Sequence, residues 1–205
     1  MRRSTFQLPL TCEFEQMILE GICTTRNADG SINIAPMGPI VDPDQTTFHF
    51  RPYQTSTTYS NLKRTGCGVF HVTDEVELIA QAAVGRIAET PDFLPPKIVD
   101  GAVLAGACRW YEFQVTQIDD SQPRTEISTE IVHVGRLRDF WGFNRAKHAV
   151  LEAAILATRR HLIPAEQIES QFAHLKVAVE KTAGPSELRA FEFLERYFRS
   201  NPDVQ

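Results

Sequence analysis

One segment of the sequence places an arginine shortly before a run of four hydroxyl side chains. Arg51 is followed by Thr55, Ser56, Thr57 and Thr58, and apolar residues with helical spacing begin directly after them. A guanidinium supplies a forked, charged donor, hydroxyls donate further hydrogen bonds, and the free amides at a helix N-terminus add partial positive charge. A single serine or threonine is enough to cap a helix. The surplus of hydroxyls therefore favours an anion site, such as one for a phosphate, over a simple cap.

A second segment, residues 24–38, has the pattern of a β-hairpin with an irregular end. The tetrad Asn-Ala-Asp-Gly at 27–30 is a strong turn signal, because Asn and Asp bond their own backbone and Gly accepts positive φ. Pro36 removes one donor from the return strand, which predicts a strand edge or a bulge. The small residues around Pro36 would let a flat ligand lie against the backbone, and an ordinary hairpin explains the same residues equally well.

The usual catalytic signatures are absent from the sequence. It contains no glycine-rich phosphate loop, no Gly-x-Ser-x-Gly elbow and no His-Glu-x-x-His motif. The six histidines are scattered over different elements, and His133, in a strand of alternating pattern, is predicted to be structural. Four single cysteines without a Cys-x-x-Cys pair are predicted to be reduced residues in or near the core: Cys12, Cys23, Cys67 and Cys108. We expect neither a hydrolase nor a metal site.

Length and charge narrow the class of protein further. The chain has 205 residues, 42% of them hydrophobic, which is enough for one packed core with a small appendage. Lysine and arginine total 21 against 26 aspartate and glutamate residues, and the net charge of −5 argues against a nucleic-acid partner. Acidic residues interrupt the apolar stretch after the basic N-terminus, and no window resembles a membrane span. We expect a cytoplasmic protein without a membrane partner.

The elements that position the two segments come in the order strands first, helices last. Alternating apolar and β-branched residues predict strands at 16–25, 31–41, 46–50, 67–72, 108–118 and 125–134. A helix is predicted at 57–64, ended by Gly66, and a second is predicted to start at Asp74 as its cap. Adjacent prolines predict a loop at 93–96. This order predicts an α+β protein with a closed antiparallel barrel over residues 1–142.

From Asn144 to Phe198 the apolar spacing is helical throughout, which predicts a C-terminal helical region over residues 143–205. Breaks at Pro164 and at Gly184-Pro185 divide it into three helices. Asn144 is a candidate cap for the first helix. Arg145 lies at a helix end where the dipole disfavours a cation. Glu152, two turns on, or a ligand is therefore a candidate partner, with plain solvation as the alternative. Glu180-Lys181-Thr182 fits a C-terminal charge cap.

The hairpin and the helix start, in this order, resemble the flavin-binding split β-barrel superfamily. Its hairpin has the pattern Thr-x-x-x-x-Gly-Ser-x-Asn-x-Ala-Pro, and its helix starts with Ser-x-(Lys or Thr)-x-x-Asn-Leu. The first pattern lies within residues 24–38 here, and the second at 56–62. With further stretches at 143–159 and 180–182, the chain is more narrowly similar to domain-of-unknown-function family four-four-seven, which joins such a barrel to a C-terminal helical region.

The resemblance implies a homodimer that binds FMN at the subunit interface. Five residues near the helix start would hold the phosphate: Arg51, Ser56, Thr57, Thr58 and Asn61. The return strand would line the isoalloxazine with Asn33, Ala35, Pro36 and Met37, and Thr25 and Arg26 would approach it from the hairpin. Thr58 stands where many oxidase members carry a lysine. This departure argues against pyridoxamine-phosphate oxidase activity and leaves Arg51 as the charge partner of the phosphate.

Three functions are compatible with this sequence. In the first, the protein is an FMN-dependent oxidoreductase, and the flavin supplies the hydride chemistry, which fits the missing catalytic constellation. A nicotinamide or another small molecule would be its electron donor. In the second, the protein is a flavin- or deazaflavin-binding module without turnover, whose helices dock a partner or complete the dimer. In the third, it is a structural dimer, and its phosphate-like site is only a helix cap.

Overall fold

The structure, a computed structural model, describes residues 17–200. Its main sheet is antiparallel and has eight strands: β1 (Met17–Ile18), β2 (Gly21–Arg26), β3 (Ile32–Met37), β4 (Ile40–Val41), β5 (Thr47–Phe50), β6 (Cys67–Val72), β9 (Arg109–Asp119) and β10 (Glu126–Arg136). The hydrogen-bonded order is β1-β4-β5-β10-β9-β6-β2-β3, and the sheet curls into a half-barrel. The predicted α+β class, a barrel-type antiparallel sheet ahead of C-terminal helices, is confirmed. The curl stops short of a closed cylinder.

Helices and one small ribbon complete the described part of the chain. The ribbon pairs β7 (Phe93–Leu94) with β8 (Val103–Leu104). The helices are α1 (Thr57–Thr65), α2 (Val76–Ala83), α3 (Arg145–Thr158), α4 (Ala165–Thr182) and α5 (Pro185–Ser200). The loop prediction for 93–96 is thus wrong for its first two residues, because pairing with residues nine and eleven positions ahead cannot be predicted from local composition. Within residues 17–200 no helix is long and apolar enough to cross a membrane.

Two strands that were predicted as continuous, 16–25 and 31–41, are each divided in two. A pair of residues separates β1 from β2, and another pair separates β3 from β4. Because β1 pairs with β4 while β2 pairs with β3, both strands bend at the same corner. The Leu19 amide donates to the Pro39 carbonyl at this corner over 3.1 Å. The bend lets one hairpin supply both ends of the curled sheet. Residue 16 lies outside the described residues.

The inside of the half-barrel is filled by aromatic rings that α1 covers. Phe48 and Phe70 meet edge to face with their ring centroids 5.4 Å apart, and Phe50 and Phe113 lie 4.9 Å apart. Leu62 of α1 is fully buried in the same cluster. Burying each such side chain stabilises the fold by roughly 1.5–3 kcal/mol. The start of α1 is therefore held in a fixed position against the sheet.

The limits of α1 agree with its sequence signals. The Ser56 hydroxyl accepts a hydrogen bond from the Tyr59 amide at 3.1 Å, as an N-cap does. Gly66 ends the helix with φ of 68°, in the left-handed region that glycine adopts without steric cost. The prediction of a helix at 57–64 ended by Gly66 is confirmed to within one residue.

The helical layer has its own core, and α2 belongs to it. Val76 and Ala80 of α2 pack with the small-residue stripe of α3 and with apolar residues of α4 and α5. The cap predicted for α2 is wrong. Its N-cap is Glu75, which makes no side-chain capping bond, and the carboxylate of Asp74 instead accepts a hydrogen bond from Arg138 over 2.5 Å. Asp74 thereby joins the end of the sheet to the start of the helical region.

The first C-terminal helix begins at a shared cap. The Asn144 side chain accepts hydrogen bonds from the first amides of α3, as predicted, and donates to the Thr182 carbonyl over 3.0 Å. The Thr182 hydroxyl also accepts from the Ala146 amide. Thr182 therefore has a structural role that a charge cap does not describe.

The carboxylate partner predicted for Arg145 is wrong, since no ion pair between residues 17 and 200 joins Arg145 to Glu152.

The remaining scattered residues have structural environments. Cys23 and Cys108 are buried, Cys67 is half-buried, and all three are free thiols; Cys12 lies outside the described residues. The ring of His133 packs beside that of Trp110, with the centroids 6.0 Å apart. These positions agree with the structural interpretation of both residue types.

Candidate functional site

Four of the residues singled out in the sequence meet in one hydrogen-bonded cluster. Thr25 lies on β2, Asn33 on β3, and Thr58 and Asn61 on α1. The hairpin register places Thr25 opposite Asn33, and α1 packs across both strands. Thr25, Thr58 and Asn61 are buried, and Asn33 is half-buried. A hairpin and a helix separated by about twenty residues therefore build one polar site, as the two sequence segments predict.

Asn33 is the bridge between the strand and the helix. Its Nδ2 donates to Oγ1 of Thr25 over 3.2 Å and to Oγ1 of Thr58 over 3.1 Å. Both amide hydrogens of Asn33 are thus in use, while the two threonine hydroxyls act as acceptors and keep their own hydrogens for donation. The side-chain carbonyl of Asn33 has no donor among the described residues. The cluster therefore offers both donors and an acceptor to a ligand.

Asn61 is held entirely within the protein. Its Nδ2 donates to Oγ1 of Thr25 over 3.0 Å and to Oδ1 of Asn27 over 2.8 Å. Its own Oδ1 accepts a bond from Arg64 over 3.4 Å. Because its amide hydrogens are both bonded, Asn61 positions the hairpin against α1 and has no donor left for a phosphate. Asn27, which the sequence suggested only as a turn residue, is the partner that fixes this arrangement.

The N-terminus of α1 presents unused donors beside the cluster. The Ser56 hydroxyl oxygen accepts a hydrogen bond from the Tyr59 amide, so Ser56 acts as the N-cap. The amides of Thr57 and Thr58 have no acceptor between residues 17 and 200, and the side chain of Thr57 is exposed without a bond there. Helix N-termini bind anions through such amides and through the helix dipole. Two amides and the Thr57 hydroxyl are thus available to an anionic group.

The two arginines of the predicted site have different roles. Each guanidinium nitrogen of Arg26 donates one hydrogen bond within the protein. Nε donates to Asp100 over 2.8 Å, and the other two nitrogens donate to the carbonyls of Gly30 and Gly101. It closes the hairpin turn and is largely neutralised. Arg51 follows β5, is half-buried, and has no ion-pair partner in the described part of the chain. Arg51 is therefore the free cation of the pair.

The return strand supplies an open surface next to the polar cluster. Strand β3 is an edge strand that pairs only with β2, and Pro36 lies in it opposite Ile22, where its missing donor faces away from the ladder. Ala35, Pro36 and Met37 are half-buried, and Met37 packs against the aromatic core. The edge predicted from Pro36 is confirmed, and the strand leaves its outer side accessible to a planar group.

A neighbouring set of side chains that the sequence did not single out fixes the other side of α1. Oη of Tyr59 and Nζ of Lys63 both donate to the carboxylate of Asp120, each over 2.6 Å. Hydrogen bonds from Lys63 and Tyr59 hold the pKa of Asp120 below its ordinary value. Asp120 lies in the turn between β9 and β10, so only the three-dimensional structure brings it to α1. In the sequence, only the i, i+4 spacing of Tyr59 and Lys63 indicates that these two side chains lie on the same face of α1.

Comparisons with known proteins agree on family and fold. Residues 19–138 match the model described as "Protein of unknown function (DUF447) N-terminal domain", and residues 144–196 match "Protein of unknown function (DUF447)". A crystal structure of an FMN-bound protein from Methanosarcina mazei, assigned to DUF447, superposes with a TM-score of 0.76 at 20% identity, covering 90% of this chain and 96% of that chain. No relative was found among curated proteins.

A second solved structure matches a smaller share of the chain. A homolog of nitrilotriacetate monooxygenase component B from Mycobacterium thermoresistibile superposes with a TM-score of 0.50 at 14% identity. The match covers 61% of this chain and 71% of that chain. Similarity at this level of identity shows a shared fold.

Proposed function

The chain belongs to the DUF447 family, and from that premise we propose that it is an FMN-binding protein that acts as a flavin-dependent oxidoreductase. The observation that carries the proposal is the polar cluster of Thr25, Asn33, Thr58 and Asn61 beside the unused amides of α1. The FMN-bound structure from Methanosarcina mazei has the same fold over nearly its whole length, which supports the choice of cofactor.

The donors at the start of α1 fit a phosphate monoester. The amides of Thr57 and Thr58, the Thr57 hydroxyl and the Arg51 guanidinium would hold its oxygens, since charged and amide donors together favour a dianion. Asn61 would not touch the phosphate, because both of its amide hydrogens are already bonded within the protein. The charge of Arg26 is paired with Asp100. The Ser56 hydroxyl accepts from the Tyr59 amide and would add only its own hydrogen as a donor. Asn61, Arg26 and Ser56 would position the helix and the hairpin.

The planar ring fits the open side of the hairpin. The outer side of β3 around Ala35 and Pro36 would receive it, and the free carbonyl of Asn33 and the Thr58 hydroxyl would bond its polar edge. FMN, when bound, supplies hydride chemistry, so the protein need contribute only orientation and hydrogen bonds. The cluster, composed of threonine and asparagine side chains, is suited to that task. We further propose a nicotinamide as the electron donor and a homodimer with the flavin at its interface.

A titration of the purified protein with FMN tests the proposal. Flavin fluorescence should be quenched on binding, and the complex should sediment with twice the mass of one chain. NADH or NADPH, added without oxygen, should bleach the bound flavin. A protein that takes up no FMN would refute the flavin proposal, and bound flavin that neither nicotinamide reduces would refute the proposed electron donor.

Replacing the two free phosphate donors tests the position of the site. Arg51→Gln and Thr57→Val should each weaken FMN binding by about 1–3 kcal/mol, because each removes a bond to a charged oxygen. Arg199→Gln serves as the matched control, since Arg199 lies exposed near the end of α5. Dissociation constants from the fluorescence titration provide the measurement. Unchanged affinity in both site variants would show that the phosphate lies elsewhere.

A further inference from the structure

A cavity opens at the end of the half-barrel remote from α1. Its volume is about 370 Å³, and it touches Val72, the last residue of β6, whereas α1 ends just before the first residue of that strand. The register places Val72 beside Arg109 of β9, and Arg109 beside Arg136 of β10. The cavity shares no lining residue with the FMN site proposed above.

Two of the three arginines that line the cavity are paired with carboxylates, and the third has no such partner in the described part of the chain. Arg136 is paired with Asp139, and Arg138 is bonded to Asp74. Arg109 has no carboxylate partner between residues 17 and 200, and its guanidinium donates only to Oη of Tyr111 over 3.4 Å. Like charges directly opposite each other on neighbouring strands destabilise a sheet. The pair of Arg109 and Arg136 thus leaves one guanidinium without a counter-ion.

The walls of the cavity are apolar beside these guanidinium groups. Leu19 and Val72 line it and pack against the aromatic core, and Phe140, which is half-exposed, lines it as well. The thiol of Cys108 also lines it, but burial raises its pKa and keeps it neutral. A cavity of this size is in the range that holds small organic ligands, which such sites orient with a few polar groups.

We propose that this cavity binds a small monocarboxylate with an apolar body. The carboxylate would lie between the guanidinium groups of Arg109 and Arg136, whose planar donors match its two oxygens. The apolar body would lie against Leu19, Val72 and Phe140. One negative charge balances the one uncompensated arginine, whereas an inorganic anion would leave the apolar walls without a partner. The site goes beyond the proposed flavin chemistry and does not depend on it.

Benzoate is a suitable probe, and benzamide is its neutral counterpart of nearly equal shape. Isothermal titration of the full chain, with and without FMN, should show benzoate binding, and benzamide should bind at least about tenfold more weakly because the charge-assisted bonds are lost. Equal binding of the two compounds, or no benzoate binding at millimolar concentration, would overturn the proposal. Inorganic phosphate that binds as tightly as benzoate would overturn the role of the apolar walls.

Variants locate the benzoate site. Arg109→Gln and Arg136→Gln should each weaken benzoate binding about tenfold, while Arg51→Gln, in the proposed flavin site, should leave it unchanged. Circular dichroism shows whether each variant is folded. Because two arginine variants are made, the test can still be carried out if one of them does not fold. Benzoate affinity that is unaffected by both substitutions in folded protein would place the ligand outside this cavity. Because the readout does not involve flavin, failure here is distinct from failure to bind FMN.

Discussion

Glu112→Gln should lower the free energy of unfolding by about 3 kcal/mol, because it leaves buried donors without an acceptor. The Glu112 carboxylate is fully buried and accepts hydrogen bonds from the amides of Lys97, Ile98 and Val99, over 2.7, 2.6 and 3.1 Å, and from the Trp110 indole over 3.1 Å. A glutamine would present an amide nitrogen to at least one of these donors. Urea denaturation followed by circular dichroism measures the loss.

A matched control separates this effect from the loss of any acidic residue in the sheet. Glu130 lies exposed on β10, and Glu130→Gln should change the free energy of unfolding by less than about 0.5 kcal/mol. Equal stability of Glu112→Gln and the unsubstituted protein would mean that the loop at 97–99 is not fixed by this carboxylate.

The same carboxylate makes stability depend on pH. Burial disfavours the charged form of Glu112, but the hydrogen bonds from Lys97, Ile98 and Trp110 outweigh it and hold its pKa below the ordinary value. A lowered carboxyl pKa contributes stability above the pKa of the unfolded chain, and that contribution is lost as the pH falls through the folded-state pKa. The difference in stability between the Glu112→Gln variant and the unsubstituted protein should therefore shrink in acid.

Asp74→Asn should destabilise the fold by about 3 kcal/mol, because it breaks a buried ion pair at the junction of sheet and helices. The Asp74 side chain is only 3% exposed, and besides Arg138 it accepts a bond from the Trp141 amide over 3.3 Å. Its backbone carbonyl accepts from Lys147 of α3 over 2.6 Å. Burial opposes the charged form, but the Arg138 guanidinium keeps the pKa of Asp74 below its usual value. Guanidinium denaturation provides the measurement.

An exposed ion pair serves as the comparison for Asp74. Glu192 and Arg196 pair on the surface of α5 with both side chains more than half exposed, and Glu192→Gln should cost less than about 1 kcal/mol. If Asp74→Asn lowers the free energy of unfolding no more than Glu192→Gln does, the Arg138 guanidinium in the variant is bound by another partner or solvated by water.

Local signals account for most of the fold that the sequence predicted. The turn at 27–30, the cap Ser56 and the C-cap Gly66 act within a few residues, so the sequence around them is sufficient. Asp74 has the composition of a cap, but its partner Arg138 lies 64 residues away. The carboxylate of Glu112 likewise accepts its hydrogen bonds from the loop at 97–99, which lies 13 to 15 residues away in the sequence. Local composition contains no signal for contacts of this kind.

The sequence predicted which residues form the candidate site better than it predicted what each of them does there. The hairpin and helix-start patterns identified Thr25, Asn33, Thr58 and Asn61, which the structure brings into one cluster. The sequence could not show that Asn61 has no amide hydrogen left to donate, because that depends on hydrogen bonds across the fold. The neutralisation of Arg26 by Asp100 is equally non-local.

The place of α2 in the helical layer has a consequence for how the chain folds during synthesis. Helix α2 leaves the ribosome soon after β6, yet the residues that cover its apolar face come mainly from α3 and α5, which lie much later in the sequence. Until both α3 and α5 have emerged, the face around Val76 and Ala80 is not fully covered, and such exposed apolar surfaces promote aggregation. The two segments matched by the family models are therefore successive in sequence but complete their folding together.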